Sequence, residues 1–258
     1  MRIDSFVCKS LIKRKKTENR NKFFEWVRKN ENPNLLIDVL YMNSKHFDLY
    51  RPSKPGKCLI IDIHGEIFSY GDKNNNFQLD YDLSQSGFTV LAPNFSEFNK
   101  MNFDDQINDV LKALDFLNEN KKELGIDFSS ITLLGHNSSS FLCFLLGLKK
   151  QNFFDKILLE DGLYNLPKYC ESYKTSLNEI CFTKIFGCED FAKIQNQIEK
   201  IKTNKIGNYL CFFEDTENVF YKFFNDEKNT LIESKNLIKV ISKNKFENIS
   251  KLIIKEYE

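Results

Sequence analysis

Residues 131–139 constrain the fold of this chain more than any other segment. They read Ile-Thr-Leu-Leu-Gly-His-Asn-Ser-Ser, an apolar run that ends in glycine and small polar residues. Residues 138–149 follow, rich in leucine and phenylalanine. This pattern predicts a buried strand, a sharp turn and a helix that packs against the strand.

Predicted strands and helices alternate along most of the chain. A short turn separates two N-terminal strands at residues 35–42 and 46–50. Further strands are predicted at residues 58–63, 88–92, 131–134, 156–159, 209–213 and 237–241, and helices at 103–120, 138–149 and 246–257. The alternation predicts an α/β fold with a mostly parallel central sheet, antiparallel N-terminal strands and helices on both faces.

The 258 residues suit one main domain at 35–258, preceded by a helical extension at 1–34 that Pro33 ends. The basic run at 13–16 either contacts an acidic partner or forms a solvated helix face. Residues 163–204 break the alternation of strands and helices. They form either a cap over a pocket or helices that cover the sheet edge.

Composition argues against several classes of protein. The formal net charge is +1, from 37 basic and 36 acidic residues, so no overall field attracts nucleic acid or an anionic membrane. Seven cysteines without a Cys-x-x-Cys pair favour free thiols in a reducing cytoplasm over disulfides or zinc. No signal peptide or membrane span is recognisable, and no metal or organic cofactor is implied.

Several local motifs occur in an order that is typical of one superfamily. They are Asp48-Leu49-Tyr50-Arg51-Pro52, His64-Gly65-Glu66-Ile67-Phe68 with Gly71-Asp72-Lys73, Ala92-Pro93-Asn94-Phe95, Leu124-Gly125-Ile126-Asp127 and the segment at 135–139. Over residues 35–255 the chain resembles the α/β-hydrolase superfamily, especially its carboxylesterase-like and kynurenine-formamidase-like members. The resemblance implies a Gly-x-Ser-x-Gly turn carrying a nucleophile, an oxyanion loop, and a triad in the order Ser, acid, His.

The resemblance places Asn137 at the nucleophile position and Ser139 at the second glycine, where a side chain can crowd the turn. A neutral amide donates and accepts hydrogen bonds but is a very poor nucleophile. A shift of one residue would instead make Ser138 the nucleophile.

The resemblance also indicates positions for the acid and the base. Asp215, in an acidic loop after a predicted strand, occupies the acid position, unless that loop is merely exposed. Lys245 stands where the histidine is expected, and the last histidine of the chain is His136. A lysine normally stays protonated near neutral pH, so it is a poor base. An ion pair between Asp215 and Lys245 is a hypothesis.

The predicted oxyanion loop contains His64, Gly65 and Glu66, with Glu66 in place of a glycine. The Glu66 carboxylate either brings like charge towards a developing oxyanion or points to solvent. We interpret His64 and His46 as structural residues.

These substitutions predict an esterase-like protein that is catalytically inactive or severely impaired. We expect it to bind a small-molecule ligand or a protein partner, and a homo-oligomer is compatible with the sequence. The alternative is an active esterase, deacylase or amidase that uses Ser138 or a water activated by Asp215 and Glu66. A third hypothesis is a scaffold whose N-terminal helix binds another chain.

Overall fold

The structure is a computed structural model, and it describes residues 5–30, 32–54, 56, 58–65, 71–96, 103–150, 152–161, 208–213, 237–242 and 249–257. The strands are β1 (Leu35–Met42), β2 (Lys45–Tyr50), β3 (Cys58–Ile63), β4 (Thr89–Pro93), β5 (Ser130–His136), β6 (Lys156–Glu160), β7 (Asn208–Phe213) and β8 (Leu237–Ser242). The helices are α1 (Ser5–Asn30), α2 (Phe77–Gln85), α3 (Phe103–Glu119), α4 (Lys121–Leu124), α5 (Ser139–Lys149) and α6 (Ile249–Lys255).

The described strands form one sheet in the order β1-β2-β4-β3-β5-β6-β7-β8. β1 pairs antiparallel with β2, and β2 pairs antiparallel with β4. From β4 to β8 all neighbouring strands are parallel. The prediction of a mostly parallel sheet with antiparallel N-terminal strands is therefore confirmed.

Successive side chains along each strand are buried on opposite faces of the sheet. On one face, Leu59, Ile61 and Leu133 join a core that includes residues of α3 and α5. On the other face, Ile60, Leu134 and Leu158 join a core that includes residues of α2 and α6. Because both faces are covered, the central strands are almost continuously apolar.

The helix α1 packs against α2 through aromatic side chains. Phe23 has an exposed fraction of 0%, and its ring centroid lies 5.6 Å from that of Phe77. Trp26 lies 5.3 Å from Phe77 and 4.9 Å from Tyr81, measured between ring centroids. Trp26 is the single tryptophan of the chain, so its fluorescence reports whether α1 is docked.

The structure differs most from the sequence-based elements at α2 and β5, and several other ends differ by one or two residues. The helix α2 was not predicted, and β5 continues through Gly135 to His136, where the sequence indicated an end at Leu134. The candidate cap at 163–204 lies outside the described residues. None of the described helices has both the length and the apolar character needed to cross a bilayer.

We expect Phe23→Ala to detach α1 from α2 and to lower the free energy of unfolding by about 3–5 kcal/mol, because it removes a fully buried ring. The emission of Trp26 should shift to longer wavelength. Phe24→Ala is the matched control, since Phe24 is only partly buried on the same helix. Equal losses in the two variants, measured by urea unfolding, would contradict the role of Phe23 as the anchor.

Candidate functional site

A tight turn joins β5 to α5 at the carboxyl edge of the sheet. Its first residue, Asn137, has a φ of 50° and an exposed side chain. This left-handed backbone region is tolerated by asparagine far better than by most residues with a side chain. The backbone N–H of Asn137 donates to the carbonyl oxygen of Glu160 over 2.9 Å, so the turn is attached to β6. The Asn137 amide is therefore presented to solvent by a fixed backbone.

The two serines that follow Asn137 face inward. Ser138 has an exposed fraction of only 4%. The Ser139 hydroxyl donates to the carbonyl oxygen of Ile63 at 2.5 Å and accepts from the backbone N–H of His136 at 2.7 Å. The side chain at the second glycine position is thus accommodated by hydrogen bonds that attach the turn to β3.

The loop after β3 lies directly against this turn. A Cβ atom added at Gly65 would stand 1.8 Å from the carbonyl oxygen of His136, a distance no side chain tolerates. Only glycine allows the two backbones to approach this closely. The start of the predicted oxyanion loop and the turn at Asn137 therefore form one surface.

His136, immediately before the turn, is buried between two carboxylates. Its Nε2 lies 2.8 Å from Oδ1 of Asp62 on β3, and its Nδ1 lies 2.7 Å from Oε2 of Glu160 on β6. Burial alone lowers the pKa of His136, but Asp62 and Glu160 outweigh it and raise the pKa to about 10. The ring is therefore an imidazolium that donates from both nitrogens. The second Asp62 oxygen accepts from the Asn76 amide at 2.9 Å.

More buried polar groups surround this ion network. Burial and the negative charge of Asp62 raise the pKa of Asp80 on α2 well above its ordinary value. The Tyr50 hydroxyl and both ring nitrogens of His64 are buried and have no hydrogen-bond partner among the described residues. The α2 side of the sheet is thus polar near its carboxyl edge.

A second ion network fixes the start of the segment 71–76, which leads into α2. The Lys73 ammonium lies 2.6 Å from Asp48 and 2.9 Å from Asp38. The Asn74 amide donates to the other Asp48 oxygen over 2.7 Å. Burial raises the pKa of Asp48 to about 6, although Lys73 opposes the shift. This network anchors the chain where it returns from the predicted oxyanion loop.

The surroundings of each of the three histidines in the chain give that histidine a structural role. The two nitrogens of His136 are both occupied by carboxylates. His64 stacks on Phe95 with 4.3 Å between ring centroids, and burial is the main cause that lowers the pKa of His64 to about 4. His46 lies on β2, which β4 and β3 separate from β5 in the sheet. An imidazolium cannot accept a further proton, so His136 cannot act as a general base.

The sequence-predicted site is described in part. Asn137, Ser138, His64 and Gly65 lie at one edge of the sheet, whereas Glu66, Asp215 and Lys245 fall outside the described residues. Sequence reasoning missed the roles of Asp62, Asp80 and Glu160. For Asp62 a signal existed, because it is a carboxylate at an inward position two residues after Ile60 in a buried strand.

The described part of the site offers hydrogen bonds rather than metal ligands. No group of three or more His, Cys, Asp or Glu side chains in the described ranges is arranged to hold a metal ion. The Asn137 amide stands at the N-terminus of α5, an end that favours negative or hydrogen-bond-accepting groups. Donors and acceptors of this kind suit an organic molecule with a carbonyl or carboxyl group.

Comparison with protein families gives a match over most of the chain. The BD-FAE family model matches residues 47–226, which include most of β2, all of β3 to β7, the turn at Asn137 and the segment at 71–76. No curated protein sequence matches the chain.

Solved structures show the same fold at low sequence identity. Esterase B from Lactobacillus rhamnosis superposes with a TM-score of 0.73 at 17% identity, over 92% of this chain and 85% of its own. The Francisella virulence factor BioJ gives a TM-score of 0.72 at 13% identity, over 95% of this chain and 90% of its own. A hyperthermophilic esterase from the archaeon Pyrobaculum calidifontis gives 0.71 at 12% identity, over 100% and 97% of the two chains. The chain is similar to these proteins in its α/β-hydrolase fold.

We expect His136→Gln to lower the free energy of unfolding by about 3–5 kcal/mol near pH 6, because it leaves Asp62 buried without its cation. A histidine with a raised pKa stabilises fully below its unfolded pKa, about 6.5, and this contribution is lost as pH rises through its folded pKa, about 10. The difference between natural protein and variant should therefore shrink between pH 6.5 and 10.

Urea unfolding of both proteins at several pH values measures this difference. His46→Gln makes the same change on β2, where no such ion network holds the ring, and should lose less than about 1 kcal/mol. A gap between natural protein and His136→Gln that is constant from pH 6.5 to 10 would show that His136 is neutral.

Proposed function

Because the chain belongs to the BD-FAE family and shares the α/β-hydrolase fold of solved esterases, we propose that it is a non-catalytic, esterase-like binding protein. Its ligand is a small organic molecule that contacts the Asn137 amide at the carboxyl edge of the sheet. The carbonyl or carboxyl group of the ligand accepts from the amide N–H₂ group, and the amide oxygen can accept from a ligand N–H or O–H.

One observation carries the proposal: the exposed residue at the turn between β5 and α5 is an asparagine. Its nitrogen lone pair is delocalised into the carbonyl group, so it attacks an ester far more weakly than an activated hydroxyl or thiol does. The same amide remains a good two-way hydrogen-bonding group. The side chain at the position where a hydrolase has its nucleophile is therefore suited to binding a ligand.

The histidines support the same conclusion. A serine hydrolase needs a neutral imidazole within reach of its nucleophile. The nearest imidazole in sequence, that of His136, is protonated and bound by Asp62 and Glu160. No histidine follows it in the chain. In a well-studied serine protease, loss of the nucleophile or the base lowers kcat by about 10⁶-fold, and the two losses are not additive.

Ser138 is a poor substitute for the missing nucleophile. Its side chain is almost fully buried, one residue past the point where the backbone turns outward. A hydroxyl in that position cannot approach a substrate carbonyl without a rearrangement of the turn. The buried position of Ser138 thus disfavours the alternative of an active hydrolase.

A fluorophosphonate probe and p-nitrophenyl butyrate test the lack of catalysis directly. We expect neither labelling nor hydrolysis above background for the natural protein or for Asn137→Ser, because the added hydroxyl has no base to activate it. Labelling of the natural protein that disappears in Ser138→Ala would overturn the proposal. Hydrolysis by Asn137→Ser alone would reveal an unrecognised base.

Binding is measured separately, with octanamide as a neutral probe followed by ligand-observed NMR. Asn137→Ala should raise its Kd about 3- to 10-fold, because the variant loses one or two hydrogen bonds to the probe. Asn152→Ala is a matched control. Asn152 is also exposed with a positive φ, of 59°, but it lies in the loop before β6, at the opposite edge of the sheet. Equal weakening in both variants would refute a role for Asn137 in binding.

A further inference from the structure

The second half of α1 is attached to the start of α2 and to the segment just before it. The Asn19 amide donates to the side-chain oxygen of Asn75 over 3.2 Å. The Phe23 ring is fully buried, and its centroid lies 5.6 Å from that of Phe77. The Trp26 ring lies 5.3 Å from the same Phe77 ring. These contacts fasten α1 to the first turn of α2.

The same face of α1 covers the ion network of Lys73. The Lys73 ammonium lies 5.8 Å from the centroid of the Phe23 ring, and only 3% of the Lys73 side chain is exposed. Detachment of α1 would therefore bring water to this ammonium and to its partner Asp48. The docking of α1 thus also bears on the start of the segment 71–76.

The attachment of α1 is local, so the helix can detach while the sheet stays folded. Most side chains at 17–30 are exposed. Just beyond the helix the chain is fixed again, because the Arg51 guanidinium donates to the carbonyl oxygens of Pro33 at 2.8 Å and Asn34 at 3.3 Å. Elements with few buried contacts open at a lower free energy than the core does. Docked and detached α1 are therefore two states of the same folded domain.

The first turn of α2 connects α1 to Asp62 on β3. Asn75 and Phe77 contact α1. Between them lies Asn76, whose amide donates to Asp62 over 2.9 Å. Three consecutive residues thus touch α1 on one side and the buried ion network on the other. A displacement of this turn when α1 detaches would disturb the hydrogen bond to Asp62.

Asp62 and its partner His136 support both described parts of the candidate site. Oδ1 of Asp62 lies 2.8 Å from Nε2 of His136, and Asn137 directly follows His136 in the turn. Gly65, three residues after Asp62, packs so closely on His136 that an added Cβ would stand 1.8 Å from its carbonyl oxygen. A change in the position of Asp62 is therefore transmitted to the turn and to the start of the predicted oxyanion loop.

We propose that α1 regulates ligand binding at the turn of Asn137, because the site keeps its binding geometry while α1 is docked and loses it when α1 detaches. This inference rests on the proposed function, since it concerns the same site. The regulating element is part of the chain itself but lies outside the range matched by the family model, which begins at residue 47. Coupling free energies are reciprocal, so a bound ligand must favour the docked state of α1.

Two pairs of variants of the full chain test the inference. Asn19→Ala removes the hydrogen bond to Asn75 and leaves the aromatic cluster intact, and Asn21→Ala changes an exposed asparagine of the same helix. Phe23→Ala and its control Phe24→Ala form the stronger pair. We expect Phe23→Ala to raise the Kd of octanamide at least about 5-fold, a typical lower limit for coupled sites. Asn19→Ala should raise it less, and neither control should change it.

The reciprocal effect separates regulation from a general loss of stability. Detachment shifts the emission of Trp26 to longer wavelength, so saturating octanamide should move the emission of Asn19→Ala back towards that of the natural protein. Asn76→Ala breaks the connection to Asp62. In that background, octanamide should no longer affect the Trp26 emission, and Asn19→Ala should no longer change the Kd.

A further measurement needs no ligand. Both ring N–H groups of His136 donate to buried carboxylates, so they should exchange slowly with water and give resolved signals in proton–nitrogen NMR. Their absence from the spectrum of His136→Gln identifies them. The exchange should be faster in Phe23→Ala than in Phe24→Ala, because detachment of α1 loosens the network that encloses the ring.

Equal Kd values of octanamide for Asn19→Ala, Phe23→Ala and their controls would overturn the inference and leave the proposed binding function standing. Equal exchange of the His136 protons in Phe23→Ala and Phe24→Ala would overturn it as well. Should Phe23→Ala fail to fold, Asn19→Ala against Asn21→Ala carries both comparisons. A natural protein that does not bind octanamide would instead refute the proposed function, and the His136 protons would still show whether α1 is coupled to the network.

Discussion

The imidazolium of His136, buried between Asp62 and Glu160, is the interaction on which the candidate site depends. These three side chains come from β5, β3 and β6, which are adjacent in the sheet, and they meet directly beneath the turn at Asn137. A charge removed from water is tolerated only when opposite charges and hydrogen bonds replace its hydration. Here both ring nitrogens have a carboxylate partner, and the spare Asp62 oxygen has the Asn76 amide. The positions of the three strand ends are therefore coupled, and the turn rests on a rigid base.

Under the proposed function, the same network accounts for a hydrolase scaffold that does not carry out hydrolysis. A general base must be able to exchange a proton near neutral pH, whereas His136 stays charged because its pKa is about 10. A charge that is fixed in this way serves structure better than catalysis. The turn requires a residue that tolerates a positive φ, and Asn137, with its small polar side chain, is such a residue. Under that proposal, the turn keeps its left-handed conformation and carries an amide in place of a reactive group.

Much of the fold could be predicted from the sequence because the central strands are covered on both faces and their apolar runs are long. The parallel order, the antiparallel N-terminal strands and the segments of α3 and α5 follow from that pattern. The helix α2 could not be predicted in this way. Its buried positions are Asp80, Leu83 and Ser84, so two of three are polar and the apolar period is hidden. The partner of Asp62 could not be predicted from the apolar pattern either. Its pairing with His136 depends on the register between β3 and β5, which aligns Asp62 with Leu134. Sequence alone indicates neither that register nor the raised pKa of the imidazole.

The polar layer under α2 also bears on the role of α1. Asp48, Asp62 and Asp80 lie on the α2 side of the sheet near its carboxyl edge, whereas Leu83 of α2 joins an apolar core on the same face. Buried ionic groups often add less stability than apolar packing of the same volume. The rings of Phe23 and Trp26, which stack on the outer side of α2, supply apolar contacts that this layer lacks. Fixing α2 and the segment at 71–76 from outside also fixes the direction in which α1 leaves the domain. The element that compensates for the polar interior is therefore α1, a helix that precedes the range matched by the family model.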